Sequence, residues 1–586
     1  MTYSFCPRRP MPVVNWRYLL SAVFGLSIRI ASLFAIVALL GMFLQMLVVA
    51  YPILAPSTLV SSQSMSAPRQ YQEGLNRGLA ERVERLEFIV SENWQLQGVK
   101  GDEWSWVQPS SGLRLEASEL PKDWLFADAV GNNKGLVIFA NDTLHHFHYL
   151  SSDQAGDAPR AGLVQAHPFT GMIRLLVGHP RLPVVAIAGS DNKLQVVDFR
   201  DSDALLSIAL EQPPDALVWR TTAQLDVLTD GQTSAYEFTT TDIGGAWSRL
   251  FTPIQYEGYE RPSLLWLPLP AAEEAEPKYS LVPLLFGTLK AALLALIFAI
   301  PLSMGAAIYV GFFMSEFQRR RIRPALDMLA AFPTVVLGAI GLFWIAPYFE
   351  QIVSSLIGVV IIFPLLLLTS VYLARAFGLR LVNLDALDDW PLTLMPLIIG
   401  ILIIGSVIGL GITSKLPGNS LYAYLTSLGV SVSYFNSLLV GLVLGVAITP
   451  TVFSVAEEAI HAVPKNLASG ALALGATPWQ GYRDIVLPVA LPGIIAAMMI
   501  GFGRAAGETM ILLMLSGNTG LIDGNVFEGL RSVSASLALE LPEAPRDSSH
   551  FQVLFVMSIL LFGVTFSVNT VAALIRNRIR TRVRGF

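Results

Sequence analysis

One cysteine, Cys6, stands in a chain of 586 residues. A single thiol closes no internal disulfide and cannot build a Cys-based zinc centre, so neither device organises this chain. Charge is the second shortage. Asp, Glu, Lys and Arg make up 14% of the residues and apolar residues 53%, whereas soluble domains carry about 25% charge. That balance excludes a wholly soluble enzyme, a disordered chain and a collagen-like chain. The net formal charge is -5, so no global basic field points to nucleic acid. A phosphate-cradling G-x-x-x-x-G-K-[ST] loop is missing, as are a G-x-S-x-G elbow and an H-E-x-x-H helix. No catalytic residue is assigned, and the chain is not expected to hydrolyse ATP itself. What remains is an integral membrane protein with a soluble part attached.

A bilayer-spanning helix needs about 20 mostly apolar residues. Eight runs qualify: Ile28–Ile53, Leu281–Phe313, Ala325–Tyr348, Ile352–Ala374, Pro391–Ile412, Phe435–Ala456, Val489–Leu515 and Phe551–Ile575. The first is far longer than the roughly 7–15 apolar residues of a signal peptide, and reads as an uncleaved anchor. Basic residues orient the set. Arg8, Arg9, Arg17 and Arg29 precede or open the first run; Arg319, Arg320, Arg321 and Arg323 follow the second; Arg375 and Arg380 follow the fourth. Lys465 and Arg483 lie between the sixth and seventh, and Arg576, Arg578, Arg580, Arg582 and Arg584 follow the eighth. If all eight runs span, every cluster falls on one side and both termini are cytoplasmic. The expected division is a cytoplasmic N-terminus (1–27), a first span (28–54), an outer domain (55–278), a membrane domain (281–576) and a basic cytoplasmic tail (577–586).

The outer segment opens with a Ser/Pro-rich linker, Pro56 to Pro68, and closes with a Pro/Glu linker, Pro268 to Pro277. Between them, short apolar runs meet turn residues. Gly135–Ala140 meets Asn141-Asp142 and then Thr143–Leu150; Pro183–Ala188 meets Gly189 to Asn192 and then Lys193–Phe199; Leu225–Thr229 meets Asp230-Gly231 and then Gln232–Phe238. These read as β-hairpins. Their spacing of roughly 40–50 residues fits propeller blades, and three hairpins also fit a sandwich. The fold class is thus an α-helical polytopic membrane protein with an inserted all-β outer domain. The domain holds His145, His146, His148, His167 and His179. His146 and His148 share one strand face by the period of two; no metal site is assigned to them.

The loop after the sixth run is heavily punctuated. Asn466 is placed to cap a short helix, Leu467 to Leu474, which Gly475 ends in the left-handed conformation. Thr477 caps a second helix with Pro478 at its first position and Gln480 completing a capping box. Pro488 sits at the mouth of the seventh run. The apolar residues Leu472, Leu474, Trp479 and Ile485 exceed what a passive loop needs. They suit either docking to a partner or packing against the chain's own helix ends.

The loop's spacing resembles the EAA loop of ABC importer permeases: Glu-Ala-Ala, three residues, Gly, nine residues, Ile-x-Leu-Pro. Here Ala471 takes the third position, Gly475 the glycine, and Ile485, Leu487 and Pro488 the close, while Ser469 and Gly470 replace the first Glu and Ala. Further motifs are similar to the phosphate-specific (Pst) permeases of the MetI-like superfamily, the PstC type in particular. They are Pro333-Thr334-Val335-Val336-Leu337-Gly338 with Gly341-Leu342-Phe343, Ala462-Val463-Pro464 with Leu472 to Thr477, Gly503-Arg504-Ala505-Ala506-Gly507-Glu508-Thr509-Met510, and Leu537 to Ala544. The resemblance covers about half the chain, from Leu281 to the end. The outer domain departs from it, as do the runs Ile352–Ala374 and Pro391–Ile412.

The resemblance implies a permease subunit of an ABC importer for inorganic phosphate in a bacterial inner membrane. It implies a PstA-like second permease, a PstB-like ATPase dimer that uses ATP-Mg, and a PstS-like phosphate-binding protein outside. The coupling loop would include Ala471, Gly475, Ala476, Ile485, Leu487 and Pro488, and the chain itself would bind no cofactor. Arg504, Glu508 and Thr509 would line the substrate path. Arg504 and Glu508, four residues apart in one apolar run, are expected on one helix face. A charge mid-bilayer costs about 2.5–3.5 kcal/mol on the insertion scale, so both should face protein or water. An ion pair between helices and an anion path both meet that condition. Arg suits phosphate because its planar fork makes paired charge-assisted hydrogen bonds. Glu508 would orient Arg504 or accept the proton of monohydrogen phosphate, and Gly503 with Gly507 would let a neighbouring helix approach. A permease for sulfate or molybdate, and a membrane-anchored sensor or scaffold that no longer transports, are the other readings of the same residues.

Overall fold

The N-terminal helix α1 (Trp16–Leu54) is apolar almost throughout and nearly all of its side chains are exposed. A helix apolar on every side belongs in lipid. The computed structural model describes residues 16–54 and most of 58–268 and 277–583. Expectations for Cys6, Arg8, Arg9, Arg380, Arg584 and most of the Pro268–Pro277 linker fall outside the described residues, whereas the expected linker Pro56–Pro68 is corrected, because Thr58–Met65 forms a strand paired with Thr233–Thr239.

Beyond the outer domain follow α2 (Val282–Ile308), α3 (Glu316–Ala330), α4 (Thr334–Ile340), α5 (Phe349–Ala376), α6 (Trp390–Thr413), α7 (Leu421–Ser427), α8 (Ser437–His461), α9 (Lys465–Ala473), α10 (Leu487–Ala506), α11 (Met510–Leu515), α12 (Val533–Glu540) and α13 (Ser549–Val583). Among the described residues, six helical runs are long and apolar enough to cross a membrane: Val23–Ile53, Val282–Phe313, Thr334–Thr369, Ser437–His461, Pro478–Ala506 and Ser549–Arg578. α6 coincides with the fifth expected run, and its stretch Ile398–Thr413 is apolar.

The expectation of separate third and fourth spans is corrected to a single helical run, Thr334–Thr369. Ala325–Ala330 belongs to α3, an amphipathic helix rich in arginine. The rest of the third expected run joins the fourth, because Ile340, Gly341, Ile345, Ala346 and Phe349 all hold right-handed helical dihedrals. Pro347 does not interrupt them, since it lies in the first turn of the short 3-10 segment Ala346–Tyr348, where a missing N–H costs little. At 1.5 Å per residue the merged run is about 54 Å long, so it tilts or projects past the roughly 30 Å apolar slab.

Small residues bring the membrane helices together. α2 buries Ala291, Ala292, Ala295 and Ala299 against α8. A Cβ at Gly445 would lie 2.8 Å from the Ala295 carbonyl oxygen, and one at Gly358 of α5 only 2.3 Å from the Gly405 oxygen of α6. Without a hydrophobic drive between helices in lipid, such close approach is what holds them.

Among the described residues, the domain between α1 and α2 holds four antiparallel four-stranded sheets and a two-stranded ribbon. The first holds β2 (Arg85–Ser91), β3 (Trp94–Val99), β4 (Ser105–Gln108) and β5 (Leu113–Glu116); the second β6 (Trp124–Val130), β7 (Gly135–Ala140), β8 (Thr143–Leu150) and β9 (Arg160–Pro168). The third holds β10 (Ile173–Gly178), β11 (Val184–Gly189), β12 (Lys193–Asp198) and β13 (Leu205–Ala209). The fourth joins β14 (Ala216–Thr221), β15 (Gln224–Thr229) and β16 (Gln232–Thr239) to β1 (Thr58–Met65), the strand that follows α1. All three expected hairpins are present, and their turns carry Asn141, Asp142, Asn192 and Asp230 at positive φ.

Each inner sheet is apolar on both faces. In β7, Leu136 and Ile138 pack with Trp104, Trp106 and Trp124 towards the first sheet, while Val137 and Phe139 pack with Val185 and Ile187 of the third. In β11, Val184, Ala186 and Ala188 turn towards Leu217, Leu225 and Phe238 of the fourth. Strands covered on both sides read as continuous apolar runs, not alternating ones. A two-stranded ribbon, β17 (Trp266–Leu267) with β18 (Lys278–Tyr279), leads back to α2. Trp266 Nε1 donates to Glu540 Oε1 at 3.0 Å. The same buried carboxylate takes Arg531 and, at 2.7 Å, His550 Nε2.

Candidate functional site

α10 carries Arg504 in its last turn and stops at Ala506. Gly507 ends it, Glu508 lies between the helices, and Thr509 opens α11, which begins at Met510, its carbonyl accepting from Leu513 N–H at 2.8 Å. The expected common helix face for Arg504 and Glu508 is therefore corrected: the helix breaks between them. Gly507 permits the break and packs no neighbour, since only carbonyls of its own turn lie within 4 Å of an added Cβ. Gly503 does serve close approach, because a Cβ there would lie 2.7 Å from Asn569 Oδ1 of α13.

The Arg504 guanidinium is half-buried and donates to Thr451 Oγ1 of α8. Among the described residues no carboxylate lies within ion-pair distance of it. Glu508 is half-buried, and its backbone carbonyl accepts from Ser534 Oγ at 2.6 Å. Thr509 Oγ1 lies 3.5 Å from the Gly507 carbonyl. The three residues thus gather at one interruption of a membrane helix, the kind of place where backbone groups reach a cavity. Lys290, which the sequence reading passed over, is a further cation within an apolar helix. Its Nζ donates to the Asp523 and Asn525 carbonyls at 2.9 and 2.7 Å, fixing the loop before α12. A lysine inside the second apolar run was the available signal.

The loop between α8 and α10 is built as its punctuation dictates, with one change. α9 starts at Lys465 with Pro464 in the capping position, so Asn466 lies inside the first turn and does not cap. Gly475 takes φ +89°, Ala476 N–H donates to Ala471 O at 3.1 Å, and Gly475 N–H to Leu472 O at 3.0 Å. Thr477 and Gln480 close the capping box in both directions. Gly481–Val486 then winds as a π-helix into α10. Leu472, Leu474 and Trp479 are exposed, Leu474 by 92%. Ala471, Ala476, Ile485 and Leu487 are half-buried and Pro488 is exposed. Tyr482 is buried beneath them, its ring 5.6 Å from both Phe312 and Trp479. Leu472 and Leu474, and the face of Trp479 turned away from Tyr482, thus stay exposed among the described residues.

Residues 391–583 match the family model of the binding-protein-dependent transport system inner membrane component. The chain is 27% identical over 296 residues to the phosphate transport system permease protein PstC of Haemophilus influenzae, covering 50% of this chain and 75% of that one. It is 25% identical over 305 residues to the probable ABC transporter permease protein YqgH of Bacillus subtilis, covering 52% and 72%. The inward-facing MetNI methionine ABC transporter superposes at 14% identity over 50% of this chain and 95% of that one, with a TM-score of 0.28. Residues 391–583 are thus similar to the binding-protein-dependent transport system inner membrane component family, in a chain similar to PstC permeases over half its length.

Proposed function

We propose that this chain is the transmembrane permease subunit of an ABC importer for inorganic phosphate. The observation that carries the reading is Arg504. It is a permanently charged guanidinium within the membrane half, half-buried at a helix break and with no carboxylate partner among the described residues. A charge left uncompensated there is costly, and a passing oxyanion supplies the acceptors a guanidinium fits. Glu508 and Thr509 stand beside it, where the Glu508 carboxylate accepts a hydrogen bond from the hydroxyl of monohydrogen phosphate. The Gly475 elbow, with its bare Leu472, Leu474 and Trp479, seats in a separate ATPase that supplies ATP-Mg chemistry. The remaining partners are a PstA-like second permease, a PstB-like ATPase dimer and a PstS-like phosphate-binding protein at the outer face of a bacterial inner membrane. The outer domain is read as a four-bladed propeller whose last blade is completed by β1.

The test is radiolabelled phosphate uptake by the reconstituted complex. Arg504→Ala should lower uptake more than tenfold, and Arg504→Lys less, with subunit co-purification unchanged. Normal uptake in Arg504→Ala removes the site. Sulfate or molybdate uptake in place of phosphate moves the chain to another oxyanion. An assembled wild-type complex that moves none of these is a scaffold.

A further inference from the structure

α3 lies along the cytoplasmic half of α8, and charged side chains join the two in register. Asp327 accepts from Ser454 Oγ at 2.6 Å. Arg323 lies 3.5 Å from Glu457. Arg319 reaches Glu457 Oε1 at 2.6 Å and His461 Nε2 at 2.7 Å. Glu316 meets Lys465 Nζ at 2.6 Å, in the first turn of α9. These rungs step one turn at a time down both helices and end on the coupling loop. Their centre is Glu457, a wholly buried carboxylate shared by two arginines.

Beside the ladder, Phe312 and Phe313, just before α3, pack on Tyr482 of the loop at 5.6 and 6.4 Å. The far end of α3 leads through Pro333 into α4, where Gly338 fits against Met514 of α11, beyond the Glu508 break. The loop and the break are thus joined by a route through α3 and α4, beside the covalent route through α10.

We infer that α3 and the coupling loop move as one rigid body through the transport cycle, clamped by Glu457, and that Arg319, Arg323, Glu316 and Lys465 are positioning residues that carry ATPase movement towards α4. This rests on the transport function proposed above. The physical ground is the burial of Glu457. Opening the rungs strands a carboxylate without water or cation, which is far more costly than moving the whole unit. The outermost rung is exposed and adds little stability, so changing it tests transmission more than folding.

The readout is phosphate transported per ATP hydrolysed by the full complex in proteoliposomes. Glu457→Gln keeps the shape and removes the charge, and should lower this ratio at least fivefold while ATP hydrolysis persists. Glu316→Lys alone and Lys465→Glu alone should each lower it about twofold, and the double exchange should restore it. Glu316→Cys with Lys465→Cys, in a Cys6→Ser background and joined by a short thiol cross-linker, should transport normally, because the rungs do not open. Arrest by the cross-link overturns the inference, as does an unchanged ratio in both Glu457→Gln and the single exchanges. If the wild-type complex moves no phosphate, the functional reading falls and this inference with it. If the wild type transports and the variants match it, the inference alone falls.

Discussion

His146 sits between two sheets of the outer domain with 2% of its surface exposed. Its ring stacks on Phe199 at 4.9 Å and stands 4.8 Å from His148. Burial, then the charges of His148 and Arg249, hold its pKa well below the usual histidine range. The unfolded chain therefore takes up a proton near pH 6.5 that the folded domain refuses, and stability falls as pH drops through that value. The outer domain should melt at progressively lower temperature from pH 7 to pH 5, and His146→Gln should flatten that slope. Differential scanning of the full chain in detergent checks it; an unchanged slope in the variant removes His146 as the cause. The shared face of His146 and His148 was legible from strand period alone. The break between Arg504 and Glu508 was not, because a glycine in an apolar run is as common inside a membrane helix as at its end. Glu457 was also missed. Sequence shows an acidic pair ending one span and arginines after another, but only packing decides which carboxylate is buried.

At the scale of elements, local chemistry decided most of what could be read. The Asn-Asp, Asn and Asp-Gly turns of the outer domain, the Gly475 stop and the Thr477 box all satisfy backbone groups within a few residues, so they do not depend on distant packing. The span count failed where the answer was not local. Whether Pro347 starts a turn or continues a helix depends on what surrounds it, and the amphipathic start of the third run was masked by its apolar end. Gly475 offers a clean test. No atom lies within 4 Å of an added Cβ there, but φ is +89°, so the cost of a side chain is conformational. Gly475→Ala should destabilise the turn by about 1–2 kcal/mol, seen as faster hydrogen exchange across 465–486. Co-purification of the ATPase should weaken several-fold. Unchanged exchange means that the left-handed turn does not set the loop.

Across the whole molecule, the chain leaves α1 and immediately donates β1 to a sheet whose other strands lie more than 150 residues on. Leu59 pairs with Phe238 and packs into the core shared by the third and fourth sheets. Val60, one position on, faces the opposite way and is 59% exposed. β1 therefore ties the fourth sheet to the membrane helix across that separation. Leu59→Asp places a carboxylate against that core and should cost about 2 kcal/mol, lowering the outer-domain melting transition by about 4–8 °C. Val60→Asp, with the same charge on the same strand, should shift it by less than about 2 °C, since exposed substitutions stay within roughly 0.5 kcal/mol. Limited proteolysis should follow the same order, with cleavage within 85–239 faster in Leu59→Asp and the membrane half untouched in both. Equal shifts from the two variants mean that β1 is an exposed tether and that the four sheets hold together without it.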